Sequence, residues 1–128
     1  RRGLKPNYPA MCRQGEIYWL PFDYSFKAKK GDQKTRPVIV VSHNYLNQRA
    51  DVIVAGISKT RKALKDHNSV KIANDLMEEG QLRDSPSAMK TANIVHTHKK
   101  NFQGYIGRVN PKKLEEILEK IRDNFTIK

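Results

Sequence analysis

Residues 34–42, with the sequence KTRPVIVVS, decide the fold of this chain. A basic approach leads through an Arg-Pro pair into residues 38–41, which are all apolar and β-branched. Because branching at Cβ restricts the side-chain torsion χ1, these residues favour a pleated strand over a helix. Pro37 has no backbone N–H to donate, so it is predicted to lie at the first residue of that strand or at a sheet edge. Arg36 is then held at the mouth of a buried strand, where its charged head can meet a ligand.

Two neighbouring segments are also predicted to be strands. Residues 15–23 (GEIYWLPFD) carry apolar side chains on both faces, which is typical of a strand covered on both sides, and Pro21 places its second half at an edge or a bulge. Asp51–Ser58 (DVIVAGIS) is predicted to form the next strand, and Gly56 inside it indicates either a bulge or a group that approaches the backbone closely. The lysine-rich residues 24–35 have the length and composition of a mobile hairpin loop.

The remaining chain is predicted to contain short strands and one clear helix. Strands are expected at 69–72, 87–91, 94–97 and 103–109, with a short turn after Ser42, a basic loop at 59–67 and a helical turn at 74–80. Asn110 and Pro111 begin a helix whose apolar face contains Leu114, Ile117, Leu118, Ile121 and Phe125. About five or six strands closed by one helix predict a mainly β (α+β) fold, a small, curled and partly open barrel.

The charge of the chain restricts its partners. Lys and Arg number 25 against 13 Asp and Glu, which leaves a formal net charge of +12. Such an excess attracts polyanions, so nucleic acid is the expected partner, and an acidic protein would satisfy the same field. No apolar run is long enough to span a membrane, and the basic N-terminus lacks the apolar segment of a secretion signal. We therefore expect a soluble, cytoplasmic protein without a membrane partner.

The 128 residues are expected to form one domain. Residues 1–14 (RRGLKPNYPAMCRQ) show no periodicity and are predicted to form a flexible basic arm, which leaves 15–128 as the single domain. The one cysteine, Cys12, excludes an internal disulfide and fits a reducing compartment.

Several familiar chemistries have no matching residues in the chain. It contains no CxxC pair, no glycine-rich phosphate loop and no GxSxG elbow, so no metal or other cofactor is expected. His96 and His98 would share one strand face, but without a third ligand nearby they are interpreted as surface or RNA-facing residues. Asp84 lies among basic residues and turn formers, where it is expected to balance local charge. Trp19 could stack on an unpaired base, although its place in an alternating strand favours the core.

Basic and hydroxyl side chains remain, at the ends of predicted strands. Arg36 opens one strand and Ser58 closes another, and the two side chains would converge if these strands are neighbours. A guanidinium binds phosphate through two parallel hydrogen bonds, and its charge is worth more as a transition state gains negative charge. A hydroxyl beside it can donate to the same oxygens. The pair could cleave RNA without metal, through the 2′-hydroxyl of the substrate, or it could bind phosphate and do nothing more.

Three segments in this order, GEIYWLPFD, TRPVIVVSHN and DVIVAGIS, resemble successive motifs of the MazF/PemK toxin family. The similarity continues more weakly through GQLRDSPSAMKTANI and into the C-terminal helix, and it covers residue 15 to about residue 123. The resemblance implies an SH3-like barrel, a homodimer and a sequence-selective endoribonuclease that cleaves single-stranded RNA, including mRNA, independently of the ribosome. It also implies 2′,3′-cyclic phosphate and 5′-hydroxyl products, and an acidic antitoxin that covers the RNA groove.

By position, the resemblance assigns the catalytic arginine to Arg36 and the catalytic threonine to Ser58, with Thr60 as a weaker alternative. The expected substrate contacts are Lys30, Lys34, Thr35, Ser42, Asn44, Lys59, Thr60, Arg61 and His96. Ala92 departs from the family, whose members often carry an acidic residue or glutamine there, and His43 interrupts the usual Ser-Asn pair. The missing acidic residue favours an alternative hypothesis, a nucleic-acid-binding module of the same fold without catalysis. Another alternative is a related toxin that acts on a protein target such as DNA gyrase.

Overall fold

The computed structural model describes residues 12–22 and 34–127. Most of the predicted N-terminal arm and of the predicted hairpin loop, including the candidate residue Lys30, lies outside these residues. The described strands are β1 Glu16–Phe22, β2 Lys34–Val40, β3 Asp51–Ser58, β4 Ser69–Ile72, β5 Met77–Gly80, β6 Ser87–His98 and β7 Gly104–Val109. The α-helices are α1 Arg61–Lys65 and α2 Pro111–Asp123, and 3-10 turns occupy Leu46–Gln48, Asn74–Leu76 and Lys99–Asn101.

The seven strands form one antiparallel sheet in the order β4-β6-β3-β2-β1-β7-β5. The two edge strands follow each other in the chain, since β4 ends at Ile72 and β5 begins at Met77. Five peptide steps reach at most about 18 Å, whereas the edges of a flat seven-stranded sheet would lie roughly 29 Å apart. The sheet must therefore curl until its edges approach, which confirms the predicted partly open barrel.

The β2 strand runs through the middle of the sheet and begins before its proline. Pro37 is opposite Trp19 on β1, whereas the ladder to β3 starts one residue later, where Val38 is opposite Gly56. Position 37 thus has a paired neighbour on one side, and a missing N–H is tolerated there. Pro37 is neither the first residue of β2 nor on an edge strand, so both predicted placements are wrong; it lies in a central strand, one residue before the ladder to β3 begins.

Three predictions of local structure are wrong, each because a distant partner or a cap decides the element. The predicted loop at 59–67 contains helix α1, whose cap is Thr60: its hydroxyl accepts a hydrogen bond from the Ala63 N–H at 3.1 Å. The helical turn predicted at 74–80 is a short 3-10 turn followed by strand β5, which pairs with β7. The two strands predicted at 87–91 and 94–97 are one strand, β6, because β3 and β4 pair along its whole length.

Two apolar clusters cover opposite faces of the central strands. The first cluster contains Ile39, Ile57 and Met89 and lies against α2, whose Ile117 is fully buried. The second cluster includes Tyr18, Val38, Val54 and Phe102 on the other face. The alternation along β2 and β3 explains both clusters, since successive side chains point to opposite faces. Gly56, where a bulge or a close backbone approach was predicted, lies at the register shift between Ala55 and Ile57, but the extra residues of that shift are on β6, between Met89 and Ile94.

The C-terminal helix matches its prediction except at its end. Asn110 accepts a hydrogen bond from the Lys113 N–H at 2.7 Å, and α2 runs to Asp123. Phe125 lies beyond the helix and is 75% exposed, so it does not extend the apolar face as predicted. Within the described residues, no helix is both long and apolar enough to cross a membrane.

The described end of the predicted arm is held against the sheet. Cys12 is fully buried in the second cluster. The Gln14 side chain donates a hydrogen bond to the Val41 carbonyl oxygen at 2.8 Å, and its backbone N–H donates to the Asn44 side chain at 2.7 Å. Packing therefore begins at least three residues before residue 15, where the arm was predicted to end.

Candidate active site

A cavity of about 220 Å³ opens where β2 begins and β3 ends. It brings together six of the residues predicted from the sequence, all basic or hydroxyl-bearing: Lys34, Thr35, Arg36, Ser58, Lys59 and Thr60. Its apolar walls are Trp19, Pro37, Ile57, Leu82 and Ile106. A cavity with apolar walls and a cationic rim suits a ligand that has both an apolar face and a negative charge.

Arg36 and Ser58 border the same cavity because β2 and β3 are antiparallel neighbours. Val40 is opposite Val54 and Val38 is opposite Gly56, so the same register continued by two residues puts Arg36 opposite Ser58. Residues opposite each other on one face have Cβ atoms about 4.5–5.5 Å apart. The Nε atom of Arg36 is buried, and Ser58 is 8% exposed. Both groups are therefore held by the sheet and border the same cavity.

The Ser58 hydroxyl is supported by Thr60. The Ser58 hydroxyl donates a hydrogen bond to Thr60 Oγ1 at 3.1 Å, and Ser58 Oγ accepts from the Thr60 N–H at 3.3 Å. Thr60 Oγ1 also accepts from the Ala63 N–H as the cap of α1. The Ser58 O–H is thus used within the pair, and the Thr60 O–H can donate to a ligand.

Trp19, Arg83 and Asp84 also line the cavity and were not among the predicted site residues. Asp84 Oδ2 lies 3.4 Å from Arg83 Nε and 3.9 Å from Lys59 Nζ, which confirms that Asp84 balances local charge. The segment GQLRDS, which carries part of the family resemblance, was the available signal for Arg83 and Asp84. Their place in the cavity depends on folding of the β5–β6 connection, which the segment alone does not reveal.

The prediction that Trp19 belongs to the core is wrong. The residue is half-buried, lines the cavity and has the Arg83 guanidinium carbon 5.3 Å from its ring centroid. Its opposite residues on the adjoining strands are Pro37 and Gly104, which have little side chain to cover the indole. The ring is therefore left partly open to the cavity.

Four predicted substrate contacts do not line this cavity: Ser42, Asn44, Arg61 and His96. Ser42 is buried, and its hydroxyl donates to the Asn47 side chain and accepts from the Ile53 N–H. Six residues along an extended chain span up to about 20 Å, which separates Ser42 from Arg36. Arg61 is exposed at the start of α1, beside the cavity residue Thr60.

Asn44 and His96 lie at the Ser42 end of the sheet. Asn44 accepts a hydrogen bond from the Gln14 N–H, and His96 Nδ1 is 3.9 Å from Asp51 Oδ2. Among the described residues, no group of three His, Cys, Asp or Glu side chains is placed to hold a metal ion.

The shifted pKa values belong to groups on the second cluster and near it. Burial raises the pKa of the Cys12 thiol above its usual range. Burial, together with the hydrogen bond that Tyr18 donates to Glu16 at 2.9 Å, raises the pKa of the Tyr18 phenol. The pKa of Tyr105 is raised by burial and by its hydrogen bond to Glu79.

A family model described as PemK-like, MazF-like toxin of type II toxin-antitoxin system matches residues 13–125. Comparison with curated protein sequences finds no match. A solved mycobacterial endoribonuclease in complex with its cognate antitoxin is 19% identical, with a TM-score of 0.63 over 93% of this chain and 94% of that chain. The Mycobacterium tuberculosis toxin MazF-mt6 is 20% identical, with a TM-score of 0.63 over 88% and 98%. MazF from Deinococcus radiodurans is 13% identical, with a TM-score of 0.66 over 91% and 98%. At these identities the structural similarity establishes the fold.

Proposed function

This chain belongs to the family of PemK-like, MazF-like toxins of type II toxin–antitoxin systems, and from that membership we propose that it is an endoribonuclease that cleaves single-stranded RNA. The observation that carries the proposal is the convergence of Arg36 and Ser58 at one cavity with basic neighbours. The net charge of +12 supports a polyanionic substrate.

In the proposed reaction the RNA supplies its own nucleophile. The 2′-oxygen attacks the adjacent phosphorus and loses its proton, the bond from phosphorus to the 5′-oxygen breaks, and that oxygen gains a proton. The products are a 2′,3′-cyclic phosphate and a 5′-hydroxyl. Arg36 binds two phosphate oxygens and stabilises the negative charge that grows on them in the transition state.

A hydroxyl of the Ser58–Thr60 pair donates to the same phosphate. Ser58 is the proposed donor and turns its O–H from Thr60 to the bound phosphate, because it borders the cavity with Arg36 and is fixed by the sheet, whereas Thr60 is exposed and caps α1. A donor held in place needs no reorganisation as charge develops. A guanidinium and a hydroxyl supply this stabilisation directly, and we propose that the reaction does not require a metal ion.

The partners follow from the same premise. Two of the solved relatives are described as complexes, one with its cognate antitoxin and one as MazE-MazF from Deinococcus radiodurans. We propose that an acidic antitoxin blocks this chain by covering the cationic rim of the cavity, that the toxin is a homodimer, and that it acts on mRNA in the cytoplasm. We also propose that cleavage depends on a short sequence in the RNA. The packed domain is proposed to begin at residue 15 or before and to end with the C-terminal helix.

The deciding experiment is incubation of the purified protein with a long single-stranded RNA in EDTA, followed by mapping of the cut ends. Cuts at a short recurrent sequence with 5′-hydroxyl ends would support the proposal in full. A folded protein that binds the RNA without cutting it would refute the nuclease and favour the binding module. Inhibition of DNA gyrase that survives Arg36→Ala would instead favour a toxin that acts on a protein.

A further inference from the structure

We infer that Trp19, Arg83 and Asp84 form a base-reading subsite in the same cavity as Arg36, which stacks one unpaired base and selects against uracil. The inference rests on the proposed function for its ligand, RNA. It adds a specificity determinant that neither the predicted catalytic pair nor the predicted phosphate contacts supply.

The stacking surface is the partly open face of Trp19. An unpaired base binds to proteins by stacking on aromatic rings or on the plane of a guanidinium. The Arg83 guanidinium carbon lies 5.3 Å from the Trp19 ring centroid, within the range of a cation–π contact. Arg83 is 70% exposed, so its side chain can move aside or stack on the other face of an entering base.

The size and lining of the cavity suit one base. Its volume of about 220 Å³ is below the range of roughly 300–1,000 Å³ typical of drug-sized ligands, so it suits a single ring system. Pro37, Leu82 and Ile106 supply apolar contact beside Trp19. A base stacked there would place its own phosphate near the cationic rim, where Arg36 and Lys59 lie.

Asp84 supplies the discrimination. It is the one carboxylate among the described residues that line the cavity, and an ionised carboxylate only accepts hydrogen bonds. Its contacts with Lys59 and Arg83 are long, at 3.9 and 3.4 Å, and its side chain is 41% exposed, so it can accept a further hydrogen bond. Ser87, which is buried, fixes the turn by donating to the Asp84 carbonyl oxygen at 2.6 Å.

An acceptor at this position favours bases that carry an exocyclic amino group. Adenine, cytosine and guanine each present such a donor, and acidic side chains pair with the cytosine amino group in known recognition modes. Uracil has carbonyl oxygens at its exocyclic positions, which an ionised carboxylate repels, and its one donor on that edge, the N3–H, lies between those two oxygens. The subsite should therefore bind adenine or cytosine more tightly than uracil.

The test uses the single tryptophan of the chain, Trp19, as its own reporter. Decamers of 2′-O-methyl RNA, uniform in adenine, cytosine or uracil, cannot be cleaved through the 2′-oxygen and separate binding from catalysis. Titration should change Trp19 fluorescence saturably, with about 10- to 100-fold tighter binding of the adenine and cytosine decamers than of the uracil decamer, as expected for one lost hydrogen bond to a charged group. Asp84→Asn should reduce that ratio to below about 2, whereas Asp123→Asn, the same charge change on α2, should leave it unchanged.

A second readout tests the stacking step without relying on fluorescence of the indole. In anisotropy measurements with labelled decamers, Trp19→Phe should retain most of the affinity and Trp19→Leu should lose it, because only the first keeps an aromatic face. Decamers that bind without changing Trp19 fluorescence, or an Asp84→Asn ratio equal to that of the wild type, would overturn the subsite and leave the nuclease proposal standing. A fluorescence change with the predicted base order, in a protein that does not cut RNA, would support the subsite and refute the nuclease. Absence of any RNA binding would overturn both.

Discussion

Arg36 and Ser58 border one cavity, and each lies two residues beyond Val38 or Gly56, the last paired residues at that end of the β2–β3 ladder. The two side chains therefore lie where pairing between β2 and β3 stops and the cavity opens. Because their backbones continue into buried strands, neither residue depends on a loop for its position. This relationship is the basis of the first two predictions.

Replacement of Arg36 by alanine should reduce kcat for RNA cleavage by about 10²- to 10³-fold, the usual cost of removing one group that stabilises transition-state charge. RNA affinity should fall less than about 10-fold, because Lys34, Lys59 and Arg83 remain on the rim. Single-turnover cleavage and equilibrium binding measure the two effects separately. Arg49→Ala removes the same charge at the other end of the sheet and serves as the control. Equal losses of kcat and affinity would argue that Arg36 only binds.

The Ser58–Thr60 pair should show different responses to three substitutions. Ser58→Ala should lower kcat about 10-fold or more with little effect on stability, since it removes the donor opposite Arg36. Thr60→Ala should lower kcat and also cost about 1 kcal/mol in the free energy of unfolding, because Thr60 caps α1. Thr60→Ser keeps the hydroxyl and should preserve both quantities. Cleavage rates and urea unfolding of the three variants test this order, and wild-type kcat in Ser58→Ala would exclude its proposed role.

Gly80→Ala should destabilise the protein by roughly 2 kcal/mol or more, because the left-handed conformation costs a side chain about 1–2 kcal/mol before any clash. Gly80 has φ +74°, and an added Cβ would lie 2.0 Å from the Ile106 carbonyl oxygen, where β5 meets β7. Gly104→Ala is the matched control, since its nearest contact would be an ordinary 3.5 Å to Trp19. Urea unfolding of both variants gives the comparison, and equal stabilities would refute the steric argument.

Stability should fall at alkaline pH, and Tyr18 should account for part of the loss. Burial and the hydrogen bond to Glu16 raise the pKa of Tyr18 in the folded protein above its unfolded value of about 10. Above that pH the unfolded state releases the proton while the folded state retains it, so the free energy of unfolding decreases as pH rises. Tyr18→Phe should flatten this decrease between pH 9 and 11, although it lowers stability at pH 7, where Phe lacks the hydrogen bond to Glu16. Urea unfolding of both proteins across this pH range measures the slope, and the same slope in Tyr18→Phe as in the wild type would contradict the role of Tyr18.

Features that depend on neighbouring residues could be predicted from the sequence. The β-branched run before Ser42, the strand Asp51–Ser58 and the Asn110 cap are local signals, and all three occur as predicted. The convergence of Arg36 and Ser58 required one further condition, that β2 and β3 are neighbours, and strands that follow each other in the chain usually are.

Features that depend on distant pairing could not be predicted in this way. Strand β5 forms because β7 pairs with it, and Met77–Gly80 carries little strand signal of its own. Trp19 looked like a core residue because alternation along β1 does not reveal that its neighbours across the sheet are Pro37 and Gly104. Arg83 and Asp84 reach the cavity only through the path of the β5–β6 connection.

The edge strands of the described sheet, β4 and β5, have four residues each. Short edges present few unpaired backbone N–H and C=O groups, which limits polymerisation of folded copies through added strands. The same shortness leaves little template for a partner that binds by extending the sheet. An inhibitor of this protein would therefore gain its affinity from contacts with the side chains of the cavity and the charged rim. The specificity of that inhibitor would change in evolution as those side chains change, and not with the backbone of the sheet.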